Sequence, residues 1–133
     1  LRAMPVFAHF GLKVTRLEPG LCDLEFPYRP DFAAANGIFM AGPVGTAGDI
    51  AAGIAGATLL PPGWTMSTID FTVKLLAPAK GERLVAEGRT IRAGRAISVN
   101  AAEIFALDDG RRILCATLLM TASNREMPGE GRA

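Results

Sequence analysis

The sequence is short of cysteine, histidine and net charge, and each shortage excludes a class of protein. Its two cysteines, Cys22 and Cys115, stand far apart without a Cys-x-x-Cys spacing, which argues against a disulfide scaffold or a cysteine-rich zinc module. One histidine, His9, cannot build a multi-histidine metal site. A net charge of +1 excludes binding that neutralises a nucleic-acid backbone, because that needs a large basic excess. We expect no metal, no cofactor and no nucleic-acid partner.

Long apolar runs are also absent. The longest stretch of low charge is interrupted by Asp49 and then by Pro61-Pro62-Gly63, so no membrane-spanning segment is expected. The first residues lack the apolar core of a signal peptide. Both cysteines lie within apolar strand patterns, where buried free thiols are expected, and this favours a reducing compartment. We therefore expect a cytoplasmic protein without a membrane partner.

The chain does carry enough apolar side chains for one core. Half of its 133 residues are hydrophobic, and this length is typical of one domain. No repeat or linker divides residues 1–123, which we predict to form that domain. The last ten residues, 124–133, are polar and contain glycine and proline, so we predict a flexible C-terminal tail.

Hydrophobic periodicity predicts one helix and six strands. Residues 12–17 and 21–26 flank a Pro-Gly turn and are typical of a β-hairpin. Residues 43–60 form the one long helix candidate, which begins at a proline and stops at the Pro-Pro-Gly sequence. Four further strands are predicted at 66–75, 82–93, 96–107 and 112–122. Since the connecting turns are short, neighbouring strands are antiparallel, and an α+β domain follows in which one helix packs on a curved antiparallel sheet.

Glycine is frequent in the predicted helix. Gly45, Gly48, Gly53 and Gly56 each cost about 1 kcal/mol relative to alanine in a helix interior. Such a helix is poor in isolation and makes sense only where another element packs close to its backbone. A β-sheet wrapped around the helix is the natural candidate.

Asp49 is the only formally charged residue between Asp31 and Asp70. The residues beside it on the helix are small or apolar, whereas a solvent-facing helical stripe normally carries several charges. Burial of an unpaired carboxylate is costly, so a lone acid in such surroundings is a candidate catalytic group. The alternative is an Asp49 side chain that points into solvent.

A glycine-containing loop, residues 36–42 (NGIFMAG), leads into this helix. Free backbone N–H groups at the helix start, together with the helix dipole, can hold a developing oxyanion. The segment 42–49 lacks the Gly-Lys-Ser/Thr ending of a phosphate-binding loop, and the chain has no Gly-x-Ser-x-Gly nucleophile elbow. The pattern therefore favours an oxyanion site over a phosphate site.

These segments resemble those of hotdog-fold acyl-CoA thioesterases of the phenylacetate-degradation (PaaI-like) type. The resemblance is carried by residues 37–53, by residues 68–71 (TIDF) leading to 75–78 (LLAP), and by Gly94-Arg95, and it extends over about residues 9–122. It implies a central helix wrapped by a sheet, active sites at a dimer interface, and homodimers that join into a homotetramer.

The family has a loop of the form Asn-x-x-Gly-x-x-His-Gly-Gly, with six residues between the last glycine and an acidic residue on the helix. Three residues match this pattern in register, namely Gly37, Gly42 and Asp49. The asparagine, the histidine and the first of the paired glycines are replaced by Ala34, Met40 and Ala41. A backbone donor does not depend on its side chain, so the oxyanion hole can persist despite these replacements.

The resemblance also implies the roles of these residues. Asp49 is expected to act as general base on water or as nucleophile, and the backbone N–H at Ala41 or Gly42 to polarise the thioester carbonyl. The hydroxyl that the partner subunit supplies in the family falls on Thr68, so Asp49 and Thr68 are expected to come from different chains. The remaining loop positions expected to contact substrate are Gly37 and Met40.

Residues 80–95 carry five basic residues against two acidic ones, a local excess of +3. On a near-neutral protein this is the best place for the phosphates of CoA, because arginine matches phosphate geometry. We predict that Arg89, Arg92 and Arg95 bind them. The alternative is an ordinary solvated strand face.

The predicted function is hydrolysis of a small or medium acyl-CoA, or of an aryl-CoA, to the free acid and CoA. The first alternative is a hotdog domain that binds acyl-CoA without hydrolysing it, which the replacements at Ala34 and Met40 favour and Asp49 opposes. The second is an enoyl-CoA hydratase, which needs a histidine beside the aspartate. The only histidine, His9, lies in another segment.

Overall fold

The computed structural model describes residues 4–34 and 36–129, and within them the chain forms two α-helices, a short 3-10 turn and six strands. The elements in chain order are α1 (Pro5–Phe10), β1 (Lys13–Glu18), β2 (Leu21–Pro27), the 3-10 turn (Pro30–Phe32), α2 (Ala41–Ala57), β3 (Trp64–Leu75), β4 (Arg83–Ala93), β5 (Ile97–Asp108) and β6 (Arg111–Glu126). The predicted α+β class and the six predicted strands are confirmed. Helix α1 has no counterpart among the predicted elements.

The six strands form one antiparallel sheet in the order β1-β2-β4-β5-β6-β3. Helix α2 has 17 residues, about 25 Å, and packs against β2, β3, β4, β5 and β6. The apolar core lies between this helix and the sheet. The expected hotdog arrangement, one central helix wrapped by an antiparallel sheet, is therefore confirmed.

The ends of α2 differ from the prediction by a few residues. The helix begins at Ala41, so Pro43 occupies its third position, which still lies in the first turn where an N–H has no intrahelical acceptor. It ends at Ala57, before the Pro-Pro-Gly sequence. There the Thr58 hydroxyl donates to the carbonyl of Ala55 at 2.6 Å and accepts the N–H of Gly20 at 2.8 Å, which ties the helix end to the β1–β2 turn.

Glycines allow the close contact between α2 and the sheet. A Cβ atom at Gly56 would lie 2.7 Å from the side-chain amide of buried Asn100. On the sheet side, a Cβ at Gly88 of β4 would lie 2.3 Å from the carbonyl oxygen of Ala51 in α2. No side chain fits at either position without displacement of its neighbours. The glycine-rich helix is therefore matched to a closely packed sheet, as the sequence predicted.

Strand β3 contains a bulge that changes which side chains face α2. Its pairing with β6 shifts between Thr68 and Asp70, so Ile69 has no partner. Thr68 pairs with buried Ala122, and Phe71 pairs with buried Met120, which places both on the helix side of the sheet. Regular alternation would have put Thr68 on the opposite side.

The C-terminal end of the domain lies further along the chain than predicted. Strand β6 continues to Glu126, and Asn124 is buried. Its backbone N–H donates to the carbonyl of Ala96 at 2.8 Å and its side-chain amide to that of Gly94 at 3.0 Å. Strand β6 therefore extends three residues beyond the predicted boundary at residue 123, and the bonds of Asn124 join it to the β4–β5 turn. Four of the ten residues of the predicted tail, 130–133, lie outside the described residues.

The two cysteines are buried and free, as predicted. Burial raises the pKa of Cys22 and the pKa of Cys115, each to about 11. Neither thiol is therefore a reactive thiolate near neutral pH. Within the described residues, no helix is long and apolar enough to cross a membrane.

Candidate active site

The Asp49 side chain lies in a cleft between α2 and the first half of β3. The cleft has a volume of about 310 Å³, within the range of small-molecule sites. Helix α1 closes one end of it. The lining residues are Met4, Phe7, Asp49, Ile50, Gly53, Ile54, Ala57, Thr65, Met66 and Thr68. Asp49 is the only ionisable group among them, and its side chain is half-buried.

The carboxylate of Asp49 is held by Thr68. The Thr68 hydroxyl donates to Oδ1 of Asp49 at 2.9 Å, which leaves Oδ2 free to act on a water molecule or a carbonyl carbon. Burial raises the pKa of Asp49, and the hydrogen bond from Thr68 lowers it and so opposes part of that shift. A half-buried carboxylate with a raised pKa is a stronger base than a solvated one.

This contact lies within one chain, because the β3 bulge turns Thr68 toward α2. The expectation that the site combines Asp49 and Thr68 from different chains stays a prediction.

A variant at Thr68 tests this contact through the pH dependence of activity. Thr68→Val removes the hydrogen bond that lowers the pKa of Asp49, so the pKa rises further. A base works only when ionised, so activity appears as pH rises through its pKa. We expect the acidic limb of the pH–kcat/KM profile to move to higher pH in Thr68→Val and to stay near that of the wild type in Thr68→Ser. An unshifted limb in Thr68→Val contradicts the contact's role.

The start of α2 presents two backbone N–H groups to solvent. The N–H groups of Phe39 and Met40 donate to carbonyls outside the helix, at 2.9 Å each, and the N–H of Val44 donates to the carbonyl of Met40. Between them, Ala41 and Gly42 have no acceptor in the described part of the chain. Two adjacent N–H groups at the positive end of a helix can hold an oxyanion, as predicted for these residues.

The loop before α2 shapes this end of the helix. Gly37 adopts a φ of +78°, and its N–H donates to the carbonyl of Ala34 at 3.0 Å. The side chain of Met40, at the family's histidine position, is exposed just before the helix start. Neither Gly37 nor Met40 lines the Asp49 cleft; both lie at the N–H end of α2.

The carboxylate and the N–H groups of one chain do not meet. Gly42 and Asp49 are seven residues apart, almost two turns, so they lie on the same side of α2 but about 10 Å apart along its axis. Within one chain, the predicted base and the predicted oxyanion donors are therefore almost two helical turns apart.

The three predicted arginines are not brought together either. Even-numbered residues of β4 up to Gly88 are buried toward α2, so Arg89 lies on the outer face, where it pairs with Glu103 at 3.5 Å. Arg92 pairs with Val99 beyond a second bulge and is exposed. Arg95 lines a separate cleft of about 390 Å³ near the end of α2. The predicted basic cluster does not form beside Asp49 in one chain.

His9 does not accompany Asp49. It lies in the last turn of α1, exposed, with its ring edge-on to Phe10 and Phe32. The hydratase alternative, which needs a histidine beside the aspartate, has no support in this cleft. Eight of the ten residues that line the cleft were not assigned to the site from the sequence, Phe7 and Met66 among them. Phe7 lies on a helix of six residues, too short for a periodic pattern to be recognised.

Comparison with known proteins identifies the family. A family model described as the thioesterase superfamily matches residues 36–113, more than half of the chain. The chain therefore belongs to the thioesterase superfamily and is a thioester hydrolase.

Named relatives agree with this assignment. The medium/long-chain acyl-CoA thioesterase YigI of Escherichia coli K12 is 30% identical over 116 residues, which cover 76% of this chain and 75% of that protein. The crystal structure of a thioesterase family protein from Silicibacter pomeroyi matches with a TM-score of 0.91 and 32% identity, over 92% of this chain and 90% of that one. A phenylacetic acid degradation-related protein of Ralstonia eutropha JMP134 shares the fold, with a TM-score of 0.80 and 22% identity over 92% of each chain.

Proposed function

We propose that this chain hydrolyses acyl-CoA thioesters with an apolar acyl group, using Asp49 as the general base or nucleophile. The observation that carries the proposal is the position of Asp49, a half-buried carboxylate bonded by Thr68 in an otherwise apolar cleft. The relative from E. coli is named for medium- and long-chain acyl-CoA, which is consistent with apolar cleft walls.

In the proposed reaction, Asp49 takes a proton from water while the water oxygen attacks the thioester carbonyl carbon. The carbonyl oxygen becomes an oxyanion, held by the N–H groups of Ala41 and Gly42. The C–S bond then breaks, and the CoA thiolate takes up the proton. The products are the free acid and CoA. In the nucleophilic variant, the Asp49 carboxylate attacks the carbonyl carbon and CoA thiolate leaves; water then opens the resulting anhydride, which releases the free acid, regenerates Asp49 and supplies the proton that the thiolate takes up.

We infer that a second copy of the chain completes the site, because Asp49 and Gly42 of one chain are about 10 Å apart. The edge strand β3 supports this assembly. It is 12 residues long and unpaired on one side, and it carries exposed Ile69, Phe71 and Leu75. A long apolar edge strand is a template for pairing with another chain. A homodimer through β3, joined in pairs into a homotetramer, is the assembly we propose.

The arginines keep a proposed role in binding the CoA nucleotide. Within the described residues, Arg92 and Arg95 have no carboxylate within 4 Å, whereas Arg89 is paired with Glu103. Arg92 and Arg95 are therefore the predicted arginines that are free to bind phosphate. Which active site they lie near depends on how the subunits assemble.

The double variant Arg92→Ala/Arg95→Ala tests this role. We expect KM for octanoyl-CoA to rise about tenfold at low salt with kcat little changed, since charge-assisted phosphate contacts contribute about 1.5 kcal/mol or more. The matched control is octanoyl-N-acetylcysteamine, a thioester without the nucleotide, whose KM should stay at the wild-type value. If KM changes by the same factor for both substrates, the arginines do not bind the phosphates of CoA.

Met40 and Ala34 replace the family's polar loop residues, so hydrolysis of acyl-CoA in particular is tested directly against binding of acyl-CoA without turnover. Thiol release from acetyl-, octanoyl-, palmitoyl- and phenylacetyl-CoA, with the free acid identified by mass spectrometry, separates the two. Turnover of at least one thioester supports the enzyme. Tight binding of S-octyl-CoA with no thiol released from any thioester identifies a binder and overturns the proposal.

A further inference from the structure

We propose that Gly53 sets the size of the acyl group that this enzyme accepts beside Asp49. The inference rests on the proposed thioesterase function and goes one step further, since it names the residue that leaves room for an extended apolar acyl group.

Packing does not explain the glycine at this position. At Gly48 an added Cβ would lie 2.9 Å from the terminal carbons of Ile104 and Leu118, and at Gly56 it would lie 2.7 Å from Asn100. At Gly53 the nearest atom, Cε of Met120, would be 3.9 Å away, which is ordinary van der Waals contact. Alanine therefore fits at residue 53 and would favour the helix.

Gly45 also has room for a Cβ atom, since the nearest atom, in the Phe71 ring, would be 3.5 Å away. It does not line the Asp49 cleft, whereas Gly53 does. Gly53 thus lacks a side chain beside the candidate catalytic group, although the packing around it leaves room for one.

The direction that a side chain at residue 53 would take shows which space the glycine leaves open. Residues 49 and 53 are one turn apart on the same face of α2, and helical side chains lean toward the N-terminus. A side chain at 53 would therefore cover the turn that carries Asp49. Its absence leaves room beside the carboxylate in a cleft that Phe7 and Met66 also line.

The walls of this cleft select an apolar group. Ile50, Ile54 and Ala57 of the helix also line it, and Ala57 lies one turn further along α2 than Gly53. A bound acyl chain would lie over Gly53 and extend toward Ala57, with its carbonyl carbon at Asp49. The structure therefore assigns a straight apolar acyl group of medium length, and residue 53 is the point at which a larger side chain would exclude it.

Three variants test the inference through one ratio, kcat/KM for octanoyl-CoA divided by kcat/KM for acetyl-CoA. Because one methylene in an apolar pocket changes discrimination by about 10- to 200-fold, Gly53→Ala should lower the ratio about tenfold and Gly53→Leu at least about a hundredfold. Ala57→Leu, one turn further from Asp49, should lower it less than Gly53→Leu does. Melting temperatures provide the control for folding, and Gly53→Ala should melt no lower than the wild type.

The outcomes separate this inference from the proposed function. If the wild type hydrolyses acyl-CoA and all three variants keep its ratio, Gly53 does not border the acyl group and the inference is overturned. If the wild type hydrolyses no acyl-CoA, the proposed function fails, and calorimetric titration with S-octyl-CoA and S-ethyl-CoA still decides the role of Gly53. A preference for the octyl compound that Gly53→Leu abolishes supports it, and an unchanged preference overturns it.

Discussion

Asp49→Asn is expected to lower kcat/KM for acyl-CoA at least about a hundredfold, equivalent to about 2.7 kcal/mol of transition-state stabilisation. Asparagine keeps the size of the side chain and an oxygen that can accept the Thr68 hydrogen bond, but it cannot take a proton from water or attack a carbonyl. A lower kcat/KM in this variant therefore reflects the lost base or nucleophile and not a change in side-chain packing. Thiol release at several substrate concentrations gives kcat and KM separately, and the loss should fall on kcat.

The matched control for this variant is Asp70→Asn. Asp70 lies on β3 close to Thr68, is exposed and does not line the cleft, so its amide variant should retain wild-type kcat/KM. Retention of near-wild-type activity by Asp49→Asn would falsify the catalytic role of this carboxylate.

The same variant has an expected effect on stability, opposite in sign to its effect on activity. The folded-state pKa of Asp49 is raised, so folding favours the protonated form, and stability is lost as pH rises through that pKa. At neutral pH the ionised carboxylate therefore opposes folding. Asp49→Asn removes this charge and should melt at a higher temperature than the wild type at pH 7, with a smaller difference at pH 4.

Ile69→Lys is expected to abolish self-association. It should also remove at least about nine-tenths of the thioesterase activity. Ile69 is 55% exposed at the bulge of the edge strand, and a lysine there places a charge on the proposed interface. Because Gly42 and Asp49 of one chain are about 10 Å apart along α2, we expect a monomer to lack a complete site. Sedimentation velocity measures the assembly and thiol release measures the activity.

Ile91→Lys is the control for the edge variant. Ile91 is equally exposed, 57%, but lies on β4, which two strands separate from β3 in the sheet. This variant should retain at least the dimer and its activity. A fully active monomer of Ile69→Lys contradicts the proposal that the site needs a second copy.

Much of the fold was predictable because its signals are local. Hydrophobic periodicity indicated the strands, short turns such as the Pro-Gly turn separated them, and the Pro-Pro-Gly sequence ended the helical region. The lone charge of Asp49 in a glycine- and alanine-rich helix was enough to single it out. Its environment, a cleft between α2 and β3, agrees with that reading.

The relation between Asp49 and Thr68 was not predictable from alternation. In a regular β3, Thr68 shares a face with Asp70, Thr72 and Lys74, away from the helix. The bulge after Thr68 depends on the pairing with β6, a contact between segments about 50 residues apart. The position of Asn124 was not predictable for the same reason. Its polar side chain is typical of a tail, but its bonds to the distant β4–β5 turn hold it in the domain.

The position of the sulfur atom of bound S-octyl-CoA tests the site assignment most directly. In a crystal structure of this complex, we expect the sulfur beside the Asp49 carboxylate and the Thr68 hydroxyl, with the octyl chain over Gly53. Sulfur bound elsewhere, for example in the cleft that Arg95 lines, with the Asp49 cleft empty, would contradict the assignment of Asp49 as the group that hydrolyses the thioester.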